Sequence, residues 1–245
     1  RVIRKHHFCF YGAIKMKNFV FAFPLSVTQE NTESFLAQVQ ISSVSLSIMV
    51  PGCSIPLDVF IQPPVPALTP LFEEHSELSL EEKSLIENHA SLLFIRGSLR
   101  DKSSLMEVNS LIQKIIAAGA FGIYAEHSGA AFSASAFNEL NVQENPLDFW
   151  LNFIESKGVL FSLGLETFSL PDLSINAANE NSEELRDLLL TTAEYLYLER
   201  VPAVSGTKVE VFEQQVYELC KENSPLFSKN DPEWNRLGTF RLIRR

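Results

Sequence analysis

Glu126, His127, Ser128 and Gly129 are consecutive residues whose side chains and backbone could do chemistry together. A carboxylate can orient an imidazole, and an imidazole can take a proton from a serine hydroxyl, so Glu126, His127 and Ser128 are candidate catalytic residues. They lie between a predicted strand and a predicted short helix near Ala134, so the N–H groups at Ser128 and Gly129 are candidates for binding an anion. The same residue types are ordinary in turns, and a purely structural turn is the alternative.

Other chemistries leave no trace in the sequence. We find no P-loop, Gly-rich dinucleotide fingerprint, nucleophile elbow, His-Glu-x-x-His or EF-hand loop. His75 follows Glu73 and Glu74, and His89 follows Glu87, but this spacing does not predict the three or four converging ligands that zinc needs. We therefore expect neither a metal nor a cofactor.

The N-terminal half alternates short strands and helices. Strands are predicted at Phe19–Leu25, Val44–Val50 with one half-buried face, Leu57–Ile61, Ser91–Ile95 and Phe121–Ala125. Helices are predicted over Thr32–Val39, from Ser79 to about His89, and over Leu105–Ala118. The last two begin with capping-box spacing, Ser79 to Glu82 and Ser104 to Glu107. Pro63, Pro64, Pro66 and Pro70 predict an extended segment outside any sheet, because proline donates no ladder hydrogen bond.

The helix over Leu105–Ala118 has the most regular pattern. Apolar residues recur at helical spacing at Leu105, Val108, Leu111, Ile112, Ile115 and Ile116. Gly119 stands where a left-handed residue is wanted after the helix. This helix is therefore expected at the centre of the core.

The C-terminal half begins with a predicted hairpin. Its strands, Phe149–Glu155 and Val159–Glu166, flank Ser156, Lys157 and Gly158, and one face is predicted to be buried. Asn181 is positioned to cap a long helix that buries Leu185, Leu188, Leu189, Thr192 and Leu196, and a closing strand is predicted at Thr207–Phe212.

These elements predict an α+β protein: a two-layer α/β sandwich with a mixed, mostly antiparallel sheet, with two ferredoxin-like halves as an option. We expect a basic tail at residues 1–17, one α+β domain at 18–212 and a C-terminal extension at 213–245. If halves exist, they divide near 18–100 and 101–212.

Charge separates the ends of the chain from its body. The net charge is −10, but residues 18–235 contain 11 basic and 30 acidic residues, a charge of −19. Such a body repels nucleic acid and anionic membranes, so neither is an expected partner. The basic ends are interpreted as solvated tails, with an electrostatic tether as the alternative.

The cysteines and the apolar runs of the sequence indicate the cellular environment of the protein. The three scattered cysteines predict a reducing, cytoplasmic environment. No apolar run reaches the ~20 residues of a membrane helix, so membrane insertion is not expected.

A series of short motifs resembles the bacterial family called domain of unknown function 4261. After the long apolar helix come Ala120-Phe121-Gly122-Ile123-Tyr124, the Ser128-Gly129 turn, Ser133 before Ala136-Phe137, Leu147-Asp148-Phe149-Trp150, Leu163-Gly164-Leu165 and Leu170-Pro171-Asp172-Leu173. A looser similarity covers the proline-rich segment and His89-Ala90-Ser91-Leu92. The resemblance implies a fold and no reaction.

An acidic body without a catalytic signature favours a non-enzymatic protein-interaction or ligand-binding module, whose expected partner is another protein. The alternative left open is a small hydrolase-like enzyme that uses the loop Glu126-His127-Ser128. Whether the protein is an enzyme, and its oligomeric state, are not decided by the sequence.

Overall fold

Six strands from the N-terminal part of the chain form one sheet. The structure, a computed structural model, describes residues 18–178, 180–211, 215–223, 227–231 and 233–245. The strands are β1 (Phe19–Leu25), β2 (Ser45–Met49), β3 (Pro56–Gln62), β4 (Ser91–Gly97), β5 (Gly122–Ala125) and β6 (Ala130–Ser133). They lie in the order β2-β3-β4-β1-β5-β6, and every neighbouring pair is antiparallel. The apolar strand β1 is thus central.

A second sheet of six strands follows. Its strands are β7 (Asn152–Ser156), β8 (Val159–Leu163), β9 (Asp172–Asn176), β10 (Lys208–Val211), β11 (Gln215–Lys221) and β12 (Thr239–Arg244). The order is β10-β11-β12-β9-β8-β7. β12 and β9 are parallel, with Thr239 opposite Asp172, and the other pairs are antiparallel.

Six α-helices connect these strands in the described part of the chain. They are α1 (Glu33–Gln38), α2 (Thr69–Glu73), α3 (Leu80–Glu87), α4 (Lys102–Ala117), α5 (Ala134–Glu139) and α6 (Ser182–Leu198). Two sheets with helices packed on them confirm the predicted α+β class and the mostly antiparallel pairing.

Both faces of the first sheet are covered. Phe19, Phe21 and Phe23 belong to a large apolar cluster that also contains residues of α4, α6 and the second sheet. Ala22, which points to the opposite face, belongs to a smaller cluster with Phe72 of α2 and other residues from α3 and β4. The strand β1 is therefore buried on both sides, as its unbroken apolar sequence predicts.

Helix α4 has the predicted burial but a different start. All six apolar residues of its predicted stripe are buried, and Gly119 has φ +105°. The cap, however, is Asp101, which accepts from Ser104 N at 2.9 Å, while Ser104 Oγ accepts from Asp101 N at 3.0 Å. The prediction that Ser104 and Glu107 form the capping box is therefore wrong. Glu107 instead accepts hydrogen bonds from Ser54 N and Oγ.

The helix α3 follows the sequence closely. Ser79 Oγ accepts from Glu82 N at 3.2 Å, and the Glu82 carboxylate accepts from Ser79 N at 2.8 Å, so the capping box is confirmed. Pro70, in contrast, is not part of an extended segment, because it lies in the first turn of α2, where no helical N–H bond is required.

The strand β2 lacks the predicted half-buried face. Leu46 is 67% exposed, Val44 and Met49 are also exposed, and the register shifts between Ser45 and Ile48. The reason is its position at the edge of the sheet. There Ser47 has φ +54° and donates its N–H to the side chain of Asp58 rather than to a backbone carbonyl of β3. This bulge interrupts the edge and opposes pairing with another strand.

The predicted hairpin is β7–β8, joined by the two-residue turn Lys157-Gly158 with positive φ at both positions. Its first strand begins at Asn152, because Asp148–Trp150 form a 3₁₀ helix instead. The prediction that only one face of the hairpin is buried is wrong, because the adjacent residues Leu160 and Phe161, which point to opposite faces, are both buried. The helix α6 packs against β8. The ring centroid of Phe161 lies 6.4 Å from that of Phe227.

The sheets do not follow the predicted chain divisions. The first sheet continues to Ser133, past the proposed boundary at 100, and it contains no parallel pair, so ferredoxin-like halves are not observed. Segment 213–245 supplies β11 and β12 to the second sheet, so it is not an appendage, and Thr207–Phe212 is not the closing strand. The predicted tail at 1–17 lies outside the described residues.

Within the described residues, no helix is both long and apolar enough to cross a membrane.

Two buried acidic side chains hold the 3₁₀ helix Asp148–Trp150 against α6. Glu194, 8% exposed, accepts from Leu147 N at 3.2 Å, and Asp148 forms an ion pair with Arg186. Burial raises the pKa of Glu194 to about 7, and the nearby charge of Asp148 acts in the same direction. This carboxylic acid is therefore more easily protonated in the folded protein than in the unfolded chain.

Replacing Glu194 with glutamine is expected to stabilise the protein at pH 8 and to leave it nearly unchanged at pH 4.5. A pKa raised from 4.5 to about 7 means that the folded state binds more protons in this window, so the wild-type protein loses stability as pH rises. The variant lacks this loss and should gain up to about 3 kcal/mol at pH 8. Urea unfolding across pH measures the difference, with Glu199→Gln, an exposed site directly after the same helix, as the matched control. A difference that is independent of pH would contradict the assignment.

Candidate functional site

The sequence-predicted site 126–129 is the turn of a β-hairpin. β5 and β6 pair from Gly122 opposite Ser133 to Ala125 opposite Ala130, and the N–H groups of Ser128 and Gly129 both donate to Ala125 O. The strand β6 therefore separates the turn from α5, whereas the sequence predicts a direct connection to that helix. The helix start is capped instead by Ser133, whose Oγ accepts from Ala136 N at 3.2 Å.

Ser128 points into the protein. It is 1% exposed, its Oγ donates to Ala125 O at 3.4 Å, and it accepts from Ala130 N at 3.3 Å. A Cβ atom placed on Gly164 would lie 2.7 Å from the Ser128 Cβ. In this conformation the serine hydroxyl is shielded from solvent and from a substrate.

His127 packs among aromatic rings. Its ring centroid lies 5.1 Å from that of Phe21, in an edge-to-face arrangement, and 5.6 Å from that of Trp150. Its Nδ1 lies 3.3 Å from Val20 O and 3.4 Å from Val20 N. These contacts fix the imidazole against β1.

Glu126 continues the connection to the same strand. Its backbone N–H donates to Val20 O at 3.0 Å. Burial raises the pKa of its carboxyl, and the charge of Arg96 opposes that effect. Glu126, His127 and Ser128 therefore form the turn that connects β5 to β6 and contacts β1.

The other histidines described also make structural contacts. His89 Nδ1 lies 2.7 Å from Ile86 O, and Val65 N donates to His89 Nε2 at 3.0 Å, so one ring closes the end of α3. His75 Nε2 lies 2.8 Å from Gly129 O. Among the described residues, no group of three or more His, Cys, Asp or Glu side chains is placed to hold a metal ion.

A cavity of about 740 Å³ lies elsewhere, where the N-terminal end of α4 and the C-terminal end of α6 approach the second sheet. Its walls come from separate segments: residues 100–102, 168–171, positions within 196–203, Lys221, and Leu237 with Phe240. Ligand pockets commonly have volumes of ~300–1,000 Å³, so the space suits a small molecule.

Basic side chains gather at this cavity. Its lining includes Arg100, Lys102, Arg200 and Lys221, and one carboxylate, Asp101. These are four of the 11 basic residues between positions 18 and 235, a stretch with a charge of −19. Within the described part of the chain, none of the four forms an ion pair closer than 4.0 Å. The cavity is thus a cationic site in an acidic body.

The remaining walls are apolar. Phe168 and Tyr197 meet with ring centroids 4.9 Å apart, and Leu196 and Phe240 are buried beside them. Burial raises the pKa of Tyr197 to about 12, with a contribution from Asp101. Its phenol therefore stays neutral over the physiological pH range.

Two residues of the lining have unusual backbone conformations. Arg200 has φ +55° and Ser169 has φ +61°, a region that glycine or asparagine normally occupies. Arg200 follows Glu199, the C-cap of α6, and Val201 N donates to Leu196 O at 3.0 Å to close the helix. Glycine is preferred at this position, so an arginine here is a departure that local stability does not explain.

No family model, curated protein or solved structure matches the chain. The resemblance to the domain of unknown function 4261 family stays a prediction.

Sequence reasoning missed the cavity because its cations are distant in sequence. Arg100 precedes α4 and Lys102 is its first residue, whereas Arg200 follows α6 and Lys221 ends β11, so no run of charge marks them. Two weak signals were available: outside the termini the chain has few basic residues, and Arg200 stands where the end of a helix favours glycine.

Proposed function

We propose that the protein is a non-enzymatic binding module for a small organic molecule, and that the cavity at the ends of α4 and α6 holds this ligand. The observation that carries the proposal is the cavity itself, about 740 Å³ in volume and lined by both charged and apolar side chains. Such a combination is typical of ligand sites, in which apolar walls supply affinity and a few polar groups fix orientation.

The backbone of the lining supports the same function. Ser169 and Arg200 adopt left-handed conformations that destabilise a free chain and persist where the surroundings impose them. Four other described residues, Gln40, Ser47, Ala67 and Lys157, also have positive φ outside the cavity, so this observation is secondary to the cavity itself. The packing of Ser128, in contrast, gives no support to the hydrolase alternative.

We infer a cytoplasmic location from the cysteines, since Cys53 and Cys220 are unpaired with each other and Cys53 is buried. A protein partner stays a prediction from the acidic composition. The exposed apolar residues of β2 could contribute to such an interface, although the bulge in that strand opposes strand pairing.

Binding of bicyclic probes tests the proposal. Naphthyl phosphate, naphthoate, naphthylmethanol and naphthylmethylamine share an apolar body of a size that the cavity can accept. We expect at least one to shift NMR amide signals of residues 196–203 and 168–171. The variant Ala203→Trp places an indole ring in the cavity and should weaken binding of every probe, whereas Ala178→Trp, an exposed site at the opposite end of β9, should not. Failure of all four probes to bind, or binding that Ala203→Trp leaves unchanged, would exclude the proposed function.

A further inference from the structure

We infer that the ligand of this cavity is an organic oxyanion, a phosphate or carboxylate group joined to an apolar ring or similar body. The inference rests on the proposed function and adds the chemical class of the ligand. It follows from the two kinds of wall that meet in one cavity, cations on one side and packed apolar side chains on the other.

The cationic wall is in excess over its own acids. Four basic side chains line the cavity but only one carboxylate does, and that carboxylate also caps α4. Asp101 accepts from Ser104 N at 2.9 Å as the cap of α4. The carboxylate keeps its charge as a cap, so four basic side chains and one acidic side chain, 4 − 1, leave the lining with a net charge of +3 for a ligand.

The position of Arg200 adds an independent observation. Its backbone has φ +55° at the position after the C-cap of α6, where a glycine would relieve the strain. Arg200 lines the cavity together with Tyr197 and with Asp101, the cap of α4. Guanidinium groups bind phosphate and carboxylate oxygens through paired N–H donors, so this residue is placed to bind the oxyanion.

The apolar wall defines the rest of the ligand. Phe168, Leu196 and Phe240 are buried residues that line the same cavity, and Tyr197 packs on Phe168 edge-to-face. The apolar surfaces that remain exposed in the lining belong to Val201, Ala203 and Leu237, and a bare inorganic anion would leave these surfaces in contact with water. A ring attached to the oxyanion would cover them and add the hydrophobic contribution to affinity.

The expected order of affinities follows from charge. A phosphate monoester carries about −1.5 to −2 near neutral pH, more than a carboxylate, so naphthyl phosphate should bind more tightly than naphthoate. Naphthoate should in turn exceed naphthylmethanol, and naphthylmethylamine should bind least. Inorganic phosphate alone should bind much more weakly than naphthyl phosphate. Raising the ionic strength should lower the affinity for the anionic probes and leave the affinity for naphthylmethanol nearly unchanged.

Calorimetric titration of the full chain and of Arg200→Gly tests the role of the cation. The variant should bind naphthyl phosphate about tenfold more weakly, the loss expected for one charge-assisted hydrogen bond. Its affinity for naphthylmethanol should not change, and its melting temperature should be unchanged or higher, because glycine suits the backbone at this position. Lys221→Gln should weaken the same probe, and Lys208→Gln, an exposed lysine on β10 outside the cavity, should not.

The two proposals fail in different ways. If naphthylmethanol or naphthylmethylamine binds in the cavity as tightly as the anions, or if Arg200→Gly and Lys221→Gln leave anion binding unchanged, the ligand class is wrong and the binding function stands. If no probe binds, both fail. A greater affinity for naphthoate than for naphthyl phosphate supports the oxyanion and identifies the carboxylate as its form.

Discussion

Replacement of Trp150 by alanine is expected to reduce the free energy of unfolding by about 3 to 5 kcal/mol through the cavity alone. Trp150 is completely buried. Its ring centroid lies 5.2 Å from that of Phe19, 4.7 Å from that of Phe21 and 5.4 Å from that of Phe168. Its Nε1 also donates to Asn109 Oδ1 at 2.8 Å. The alanine variant leaves this buried acceptor without its donor, which adds about 1 to 3 kcal/mol.

Urea unfolding followed by circular dichroism measures this loss without relying on tryptophan fluorescence. The variant Trp150→Phe keeps most of the ring and removes the N–H group, so it should lose about 1 to 3 kcal/mol. A loss below about 1 kcal/mol in Trp150→Ala would show that the aromatic cluster is not the centre of the core.

Substitution of Gly164 by alanine is expected to destabilise the protein by about 2 to 4 kcal/mol. Gly164 has φ +103°, and an added Cβ would lie 2.7 Å from the Ser128 Cβ and 3.0 Å from Trp150 O. A backbone oxygen and a Cβ atom cannot rotate away as the end of a long side chain can. The turn after β8 and the turn after β5 must therefore both shift.

Two further variants separate backbone strain from the steric clash. Gly119→Ala has nearly the same φ, +105°, but no atom within 4 Å of the added Cβ, so it measures strain alone and should be milder. Ser128→Gly combined with Gly164→Ala should recover part of the loss, because it removes the closest atom. Equal losses in Gly119→Ala and Gly164→Ala would mean that the Ser128 contact has no energetic role.

The elements that the sequence predicts well are those in which local chemistry and burial agree. β1 has the predicted bounds, Ser79 and Glu82 form the capping box of α3, and Asn181 caps α6 by accepting from Glu183 N at 3.0 Å. In each case the signal and its structural result lie within a few residues of one another.

The errors arise where a distant part of the chain decides. Leu46 alternates like a half-buried residue but is exposed, because β2 is an edge strand, and edge position is a property of the whole sheet. The candidate residues 126–129 form a turn, as their composition allows, but contact with Gly164 and Val20 fixes what they can do. The cavity brings residues 100, 200 and 221 together, and no local pattern encodes that meeting.

The placement of β12 between β9 and β11 has a consequence for how the protein is made. Until residues 239–244 leave the ribosome, β9 and β11 have no partner on the sides that they later share with β12. The first sheet, complete at Ser133, can form while the second is still being synthesised. The growing chain therefore presents two unpaired strand edges for the whole time needed to translate residues 222–238, and this interval is when chaperone contact or mispairing is most favoured.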